Sequence, residues 1–221
     1  MTGFSYGLVG STGRMGGEIR KILGPEACVF EASITGQNET GTPKVIFDFS
    51  RPEALELTLA ACRRFGCALV LGTTGLSDAQ RRQAAELAKT AAVVQSANFS
   101  LGIAVLSMIL ADYGPLLSDW DCEIVEAHHK AKKDAPSGTA LALKKALGRD
   151  AVTHSLRVGG VPGDHICVLA SEQEVLTLSH RAIARSVFAA GAVRAGRFAA
   201  SARPGLYSFI GVLQTERERN S

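Results

Sequence analysis

Phe4-Ser5-Tyr6-Gly7-Leu8-Val9-Gly10-Ser11-Thr12-Gly13-Arg14-Met15-Gly16 is the stretch that decides the fold. A strand-like apolar run over Phe4–Val9 meets three glycines in GxxGxxG spacing, and a helical pattern follows from Gly13 to Leu23. Glycines at a strand-to-helix turn permit a tight reversal and let backbone N–H groups approach a ligand closely. The helix opening there presents unsatisfied N–H groups and the positive end of its dipole, a setting suited to a pyrophosphate. The spacing departs from the commoner GxGxxG, and a glycine-rich turn alone is a weak signal. The strand–turn–helix context gives it weight.

Outward from that turn the pattern alternates. Strands are predicted over Cys28–Ile34 and Lys44–Phe49, joined by a Gly/Asn/Thr/Pro turn region, then over Cys67–Leu71 and Ala92–Gln95. Between them, Ser50-Arg51-Pro52-Glu53 reads as a capping box opening a helix that ends at Gly66, and Ser77 to Gln80 repeats the spacing for a helix reaching about Lys89. Strand–helix alternation of this kind builds a parallel sheet covered on both faces. After Asn98 the pattern changes. Helices are predicted over Leu101–Leu110 and Ser137–Leu147, strands over Cys122–Ala127, Ser155–Val158, His165–Ala170 and Glu174–His180, and a final alanine-rich helix over Ile183–Ala200. The fold class expected is therefore α/β, a Rossmann-type parallel-sheet domain over residues 1–99 followed by a smaller α+β domain with a mixed sheet over residues 100–185. The stretch from about residue 186 to 221 is a candidate to pack back on the first domain.

In an open parallel sheet, ligands bind beyond the carboxyl ends of the strands. Besides Gly10, Ser11, Thr12, Gly13, Arg14 and Met15, that edge carries two loops, Gly72-Thr73-Thr74-Gly75 and Ser96-Ala97-Asn98-Phe99. Their small hydroxyl and amide side chains suit a dinucleotide crevice, and equally suit plain turns. The end of the second strand, where a carboxylate would hold the ribose of NAD, reads Ile34-Thr35-Gly36-Gln37-Asn38; Glu31 falls too early and Glu39 too late. Arg51 is read either as the partner of an NADP 2′-phosphate or as a solvated helix-start residue, so the choice between NADH and NADPH stays open.

The bulk numbers narrow the classes. With 221 residues, 46% hydrophobic and 20% charged, the chain is ordinary globular material. A net charge of +3, 6% aromatic content and no interleaving of basic with aromatic residues give nucleic-acid binding little support. No apolar run is long enough to span a membrane, and no leader segment is read at the N-terminus. Five cysteines without a CxxC pair, several inside apolar runs, fit a reducing cytoplasm and exclude a zinc ribbon.

The chemistry concentrates in Glu126-Ala127-His128-His129-Lys130-Ala131-Lys132-Lys133-Asp134-Ala135-Pro136-Ser137-Gly138-Thr139-Ala140. Imidazole exchanges protons near neutrality. Lysines beside the backbone N–H groups of Ser137, Gly138 and Thr139 at a helix start make a carboxylate receptor, with His129 as a further contributor. A proton carrier beside an anion clamp suits a small acidic substrate. Metal ligation is not expected: adjacent strand residues point to opposite faces, and three lysines repel a cation. His154, His165 and His180 read as structural or surface residues, Trp120 and Tyr113 as packing residues, and Arg185 as a further candidate for the substrate cleft.

Val9–Gly16, Asp48-Phe49-Ser50-Arg51-Pro52-Glu53-Ala54, Gly72–Gly75, Ala97-Asn98-Phe99-Ser100-Leu101-Gly102 and Glu126–Ala140 together resemble the 4-hydroxy-tetrahydrodipicolinate (dihydrodipicolinate) reductase family, in order over nearly the whole chain and most closely its shorter members. The resemblance implies hydride transfer from NADPH or NADH to a cyclic imine-type dicarboxylate, giving tetrahydrodipicolinate in lysine and diaminopimelate biosynthesis. It implies His128 as proton donor, Lys132 as the second catalytic position, and His129, Gly138 and Thr139 as substrate-binding positions. It also implies a cytoplasmic homotetramer built through the second domain's sheet. Thr35 departs from the acidic ribose ligand. From the residues themselves, either His128 or Lys132 can deliver the proton.

Overall fold

The computed structural model describes residues 4–33 and 36–220, with the side chain of Asn220 left aside. Within them the chain forms two compact units, one built from residues 4–99 and 188–220, the other from Ser100–Val187.

The first unit holds a seven-stranded sheet. Its strands are β1 (Tyr6–Val9), β2 (Cys28–Ser33), β3 (Gly36–Glu39), β4 (Val45–Asp48), β5 (Ala68–Leu71), β6 (Ala92–Gln95) and β11 (Gly205–Ser208), in the spatial order β11-β6-β5-β4-β1-β2-β3. All pairs are parallel except β2 with β3. Every residue of β1, β4 and β5 is buried, as two covered faces require. Helices α2 (Leu55–Phe65) and α3 (Asp78–Leu87) cover one face, where Leu55, Leu59, Cys62, Ala84 and Leu87 pack on Ile46, Leu69, Leu71 and Val93. On the other face, α1 (Arg14–Leu23) ends at Gly24, whose carbonyl accepts the Tyr6 hydroxyl proton, and Gly196 of α6 (Ser186–Ala199) lies against the Phe47 ring.

Local chemistry explains most boundaries. Ser77 and Gln80 form both hydrogen bonds of a capping box, so α3 starts where predicted. Gly66 adopts φ +61 and stops α2. The box predicted at Ser50 does not form. The Ser50 hydroxyl donates to Asp48 instead, and the chain enters α2 through a 3₁₀ turn over Pro52–Ala54. The predicted turn region after β2 contains β3, whose four residues are all exposed; a short polar edge strand carries no hydrophobic alternation to betray it. Also unpredicted are β11 and α7 (Phe209–Asn220), which complete this unit.

The second unit is a mixed sheet in the order β10-β9-β7-β8, formed by β7 (Asp121–His128), β8 (Val152–Arg157), β9 (Asp164–Ala170) and β10 (Val175–Arg181). β7 and β8 are parallel; β9 runs antiparallel to both β7 and β10. α4 (Leu101–Tyr113) and α5 (Gly138–Leu147) cover one face, with Leu106, Leu110, Leu143 and Leu147 on Ile124, Cys167 and Leu169. Trp120 packs at the margin of this core, as expected, whereas Tyr113 is 60% exposed and does not pack. The opposite face of the sheet is open, with Val152, Leu156 and Val175 exposed.

Gly191 has no space for a side chain, because an added Cβ would sit 1.7 Å from the Phe99 carbonyl oxygen. Gly191→Ala is expected to destabilise the protein by about 2–3 kcal/mol or more, an overpacking penalty against rigid backbone. At Gly17, in the interior of α1, an added Cβ meets nothing within 4 Å, so Gly17→Ala should instead stabilise by about 0.5–1 kcal/mol. Thermal or denaturant unfolding of the two variants checks both signs.

Candidate active site

The glycine turn adopts the form its sequence suggests. Gly10 takes φ +81, donates its N–H to the Ala32 carbonyl at 2.8 Å, and accepts the Gly13 N–H at 2.9 Å. Gly13 caps α1 in extended conformation, leaving the first-turn amides of the helix without intrahelical acceptors. A Cβ at Gly16 would lie 2.8 Å from the Ser11 carbonyl, so helix and turn approach as closely as backbone allows. Beyond the ends of β1, β2 and β4 lies a cavity of about 490 Å³ that includes Gly10, Thr12, Gly13, Ser33, Ser50 and Arg51 in its lining. Arg51 is exposed there, and its guanidinium has no acidic partner among the described residues. Glu31 is ion-paired with Arg20, and Glu39 receives both Arg64 nitrogens at 2.9 and 2.6 Å. Thr35 lies outside the described residues. The volume, the close-approach glycines and an uncommitted cation fit a dinucleotide.

Other predicted residues fall on the same edge with different states. Arg14 and Thr12 are exposed, Ser11 and Met15 half-buried. The Thr73 hydroxyl is buried, donating to Asp48 at 2.8 Å and accepting the Ser50 N–H at 3.1 Å, whereas Thr74 is exposed. Gly72 lies flat on the Phe49 ring, where a Cβ would clash. Ser96 closes a small turn, donating to the Asn98 carbonyl at 2.6 Å and accepting its N–H at 3.2 Å, with Ala97 exposed at the tip. The Phe99 ring is buried, 5.5 Å from Phe49 and 5.3 Å from Phe209, so its side chain belongs to the core. Asp48 is the residue that sequence reading passed over. Wholly buried, it also accepts the Ser50 N–H at 3.0 Å and the Thr58 hydroxyl at 2.7 Å. A carboxylate closing an apolar strand just before a serine was the available signal.

The second unit gathers the histidine–lysine run at the end of β7. The Nδ1 atom of His128 lies 2.5 Å from the Oε2 atom of Glu126, and both side chains are buried. Burial pushes the Glu126 carboxyl up, but the Arg157 guanidinium, with Ser155 and His128, outweighs it and holds it at about 2. His129 is half-buried, and the Lys132 ammonium pairs with Asp134 at 2.9 Å. Ser137 caps α5, accepting the Ala140 N–H at 3.1 Å, while its hydroxyl also meets His165 Nε2 at 3.2 Å. The Ser137 side chain is therefore engaged internally. Gly138 is exposed at the first turn, with open space where a Cβ would stand, and Thr139 follows it half-buried.

Two histidines read as structural or surface residues prove to be part of this polar interior. The His165 ring stands edge-on to His128 at 5.2 Å, and burial, reinforced by His128, pushes its imidazole down to about 4. His180 shares a hydrogen bond of 3.1 Å with Ser100, the cap of α4. His154 is a surface residue paired with Glu123 at 2.8 Å, and Arg185 is exposed. Among the described residues no group of three or more His, Cys, Asp or Glu side chains is placed to hold a metal ion.

A parallel-sheet unit with a dinucleotide turn, carried in one chain with a unit holding a histidine–carboxylate pair beside a lysine loop, defines a nucleotide-dependent oxidoreductase. Comparison with known proteins gives the family. The model described as "Dihydrodipicolinate reductase, N-terminus" matches residues 26–99, and that described as "Dihydrodipicolinate reductase, C-terminus" matches residues 102–213. The 4-hydroxy-tetrahydrodipicolinate reductase of Thermosipho africanus is 43% identical over 211 residues, covering 95% of this chain and 97% of that one. The protein of the same name from Stenotrophomonas maltophilia is 39% identical over 228 residues, covering 93% and 95%. Among solved structures, a dipicolinate-bound dihydrodipicolinate reductase from Paenisporosarcina sp. TG-14 superimposes with a TM-score of 0.76 at 20% identity, covering 94% of this chain and 98% of that one. This chain belongs to the dihydrodipicolinate reductase family.

The buried groups give acid sensitivity a defined shape. His165 titrates near 4 when folded but near 6.5 when unfolded, so the unfolded chain takes up the proton first and stability falls between pH 6.5 and 4, by on the order of 3 kcal/mol. Glu126 adds a second loss as pH drops from 4.5 towards 2. His180, also pushed down by burial, contributes to the first window. In His165→Gln, which keeps a nitrogen near Ser137, the loss of melting temperature between pH 7 and 5 should be smaller than in the parent.

Proposed function

We propose that this protein is a 4-hydroxy-tetrahydrodipicolinate reductase, reducing a cyclic imine-type dicarboxylate to tetrahydrodipicolinate with NADPH or NADH in lysine and diaminopimelate biosynthesis. The observation that carries the reading is the segment over residues 126–138, the buried Glu126–His128 carboxylate–imidazole pair followed within one loop by Lys132 and a helix start. In the first unit, the Gly10–Gly16 turn and the start of α1 would hold the pyrophosphate, with Arg51, Thr12 and the Gly72–Thr74 and Ser96–Phe99 loops around the remainder. The cofactor, when bound, supplies the hydride.

The chain's own groups do the rest. Reduction of a C=N bond leaves an electron pair on nitrogen that must take a proton. His128 and Lys132 are the two groups able to deliver it. The amide of Gly138 and that of Thr139, at the positive end of α5, together with His129 and Lys132, would fix a substrate carboxylate. Ser137 acts by capping α5 and by anchoring the loop, since its hydroxyl is engaged and its N–H donates to Glu126. Held between a strand and a helix, this clamp sits on rigid elements.

Residues 100–185 would serve as both the substrate-binding and the assembly domain. The open face of the four-stranded sheet presents Val152, Leu156 and Val175 exposed, with Val125, Ile166 and Val168 half-buried between them, which supports a homotetramer built face to face. A cytoplasmic setting is supported by the five free thiols. No helix among the described residues is long and apolar enough to cross a membrane.

With substrate generated in situ by the preceding synthase, the protein is expected to consume NADPH or NADH, followed by loss of the reduced cofactor's absorbance. The ratio of the two rates gives the choice between NADPH and NADH that Thr35 leaves open. Lys132→Ala should lose on the order of 10²-fold in turnover; a loss under about fivefold would remove Lys132 from the chemistry. Light scattering should give a mass near four chains, and Val168→Lys, a charge placed in the middle of the open face, should give smaller species with the fold intact.

A further inference from the structure

The polar groups of the second site converge on one carboxylate. Glu126 Oε2 faces His128 Nδ1 at 2.5 Å, and Oε1 accepts the Ser137 N–H at 3.2 Å. Arg157 on the neighbouring strand closes both oxygens, its two terminal nitrogens donating to Oε2 at 2.9 Å and to Oε1 at 2.8 Å. The second of those nitrogens also donates to the Asp134 carbonyl at 2.5 Å. Glu126 is 0% exposed and the Arg157 side chain 18%, so this is a fork-to-carboxylate pair inside the protein.

The donor inventory settles which way the histidine faces. An ionised carboxylate only accepts hydrogen bonds. His128 must therefore carry a proton on Nδ1, and in the neutral ring Nε2 is the bare nitrogen. At the adjacent strand end position 163 is glycine, so no side chain from that position stands against Nε2; a Cβ there would lie 3.1 Å from it. The ring's other neighbour is His165, edge-on from β9. The same carboxylate–guanidinium pair grips the loop holding Lys132 at two points, the Asp134 carbonyl and the Ser137 amide.

We propose that Glu126 and Arg157 are the positioning residues of this reductase: together they fix His128 as its Nδ1–H tautomer, so that Nε2 takes a proton from water, forms the imidazolium that Glu126 faces, and releases that proton to the substrate nitrogen, and they tie the Lys132 loop to the same buried pair. This rests on His128 handling a proton in the reaction. A purely structural role is the weaker account. A buried ion pair is often no more stabilising than apolar residues of the same volume, so stability alone gives little reason for one whose carboxylate is aimed at an imidazole nitrogen. Removing the charge while keeping the shape reverses the logic of the hydrogen bond. A glutamine amide can donate to Nδ1 and stabilise the Nε2–H tautomer, the fault known from asparagine replacing aspartate in serine-protease triads.

The test uses the full-length enzyme. Nitrogen NMR of its histidine side chains, with the His128 signals assigned by their loss in His128→Ala, should show Nδ1 protonated and Nε2 bare in the neutral ring. Glu126→Gln should invert that pattern and lower kcat about 10²-fold or more with KM changed by less than about threefold. Arg157→Lys, which keeps the charge but not the fork, should lower kcat about 10-fold and retain the wild-type tautomer. An Nε2–H tautomer in the wild type, or Glu126→Gln turnover within about threefold of wild type, would overturn the proposal. Should Glu126→Gln fail to fold, the wild-type spectrum and Arg157→Lys decide it. Full turnover in His128→Ala would overturn the role given to His128 in the reaction, an outcome separate from the tautomer.

Discussion

Glu126 has no contact with solvent, yet it stays ionised because Arg157 meets it with two parallel hydrogen bonds. Transfer of each ion from water carries a penalty of several kcal/mol, and loss of one partner from such a pair typically destabilises by about 3–5 kcal/mol. The carboxylate is thus tolerable only with both of its oxygens matched by donors, although the Arg157 Nε is buried without a partner among the described residues. Completing the set of partners draws in His128, Ser137 and the Asp134 carbonyl, and so dictates the course of the chain from the end of β7 to the start of α5. The loop that holds Lys132 has its shape because a carboxylate must be satisfied.

The first unit solves a similar problem with neutral partners. Asp48, equally buried, gathers the Ser50 amide and hydroxyl, the Thr58 hydroxyl and the Thr73 hydroxyl. Those contacts join the loop after β4 to the loop after β5 and anchor both to α2. In each sheet, then, a carboxylate near the end of a central strand fastens the loops beyond it. Rigid sheets supply the platform, and the buried acids transmit that rigidity to irregular backbone, the requirement for a site held to within about half an ångström.

How legible this was depended on the kind of signal. Gly10, Gly13 and Gly16 announce the turn because their conformations and close contacts exclude side chains, and strands such as Ala68–Leu71 announce themselves by unbroken apolar runs. The His128–Thr139 segment was readable for its residue types. β3 was not readable: Gly36–Glu39 has both faces in water and no periodicity to detect. Ser50 was misread as a helix cap because its real partner, Asp48, competes for the same hydroxyl, and only the fold decides that competition. Arg157 and His165 were read as parts of strands, because their partners lie 31 and 28 residues away. Long-range polar pairing leaves no local mark.

The strand order has a consequence for how the protein is made. The seven-stranded sheet takes six strands from the first 95 residues and its seventh, β11, from Gly205–Ser208, with Gly191 and Phe209 seated around Phe99. Ser100–Val187, by contrast, is continuous in the chain. During translation the nucleotide-binding sheet therefore emerges first but waits with β6 as an open edge and Phe99 without its cover, while the intervening unit has all its residues in hand once the ribosome has passed it. A chain stopped short of residue 209 lacks the last pieces of its first domain, so truncation at the carboxyl end damages the part of the protein that was synthesised at the beginning.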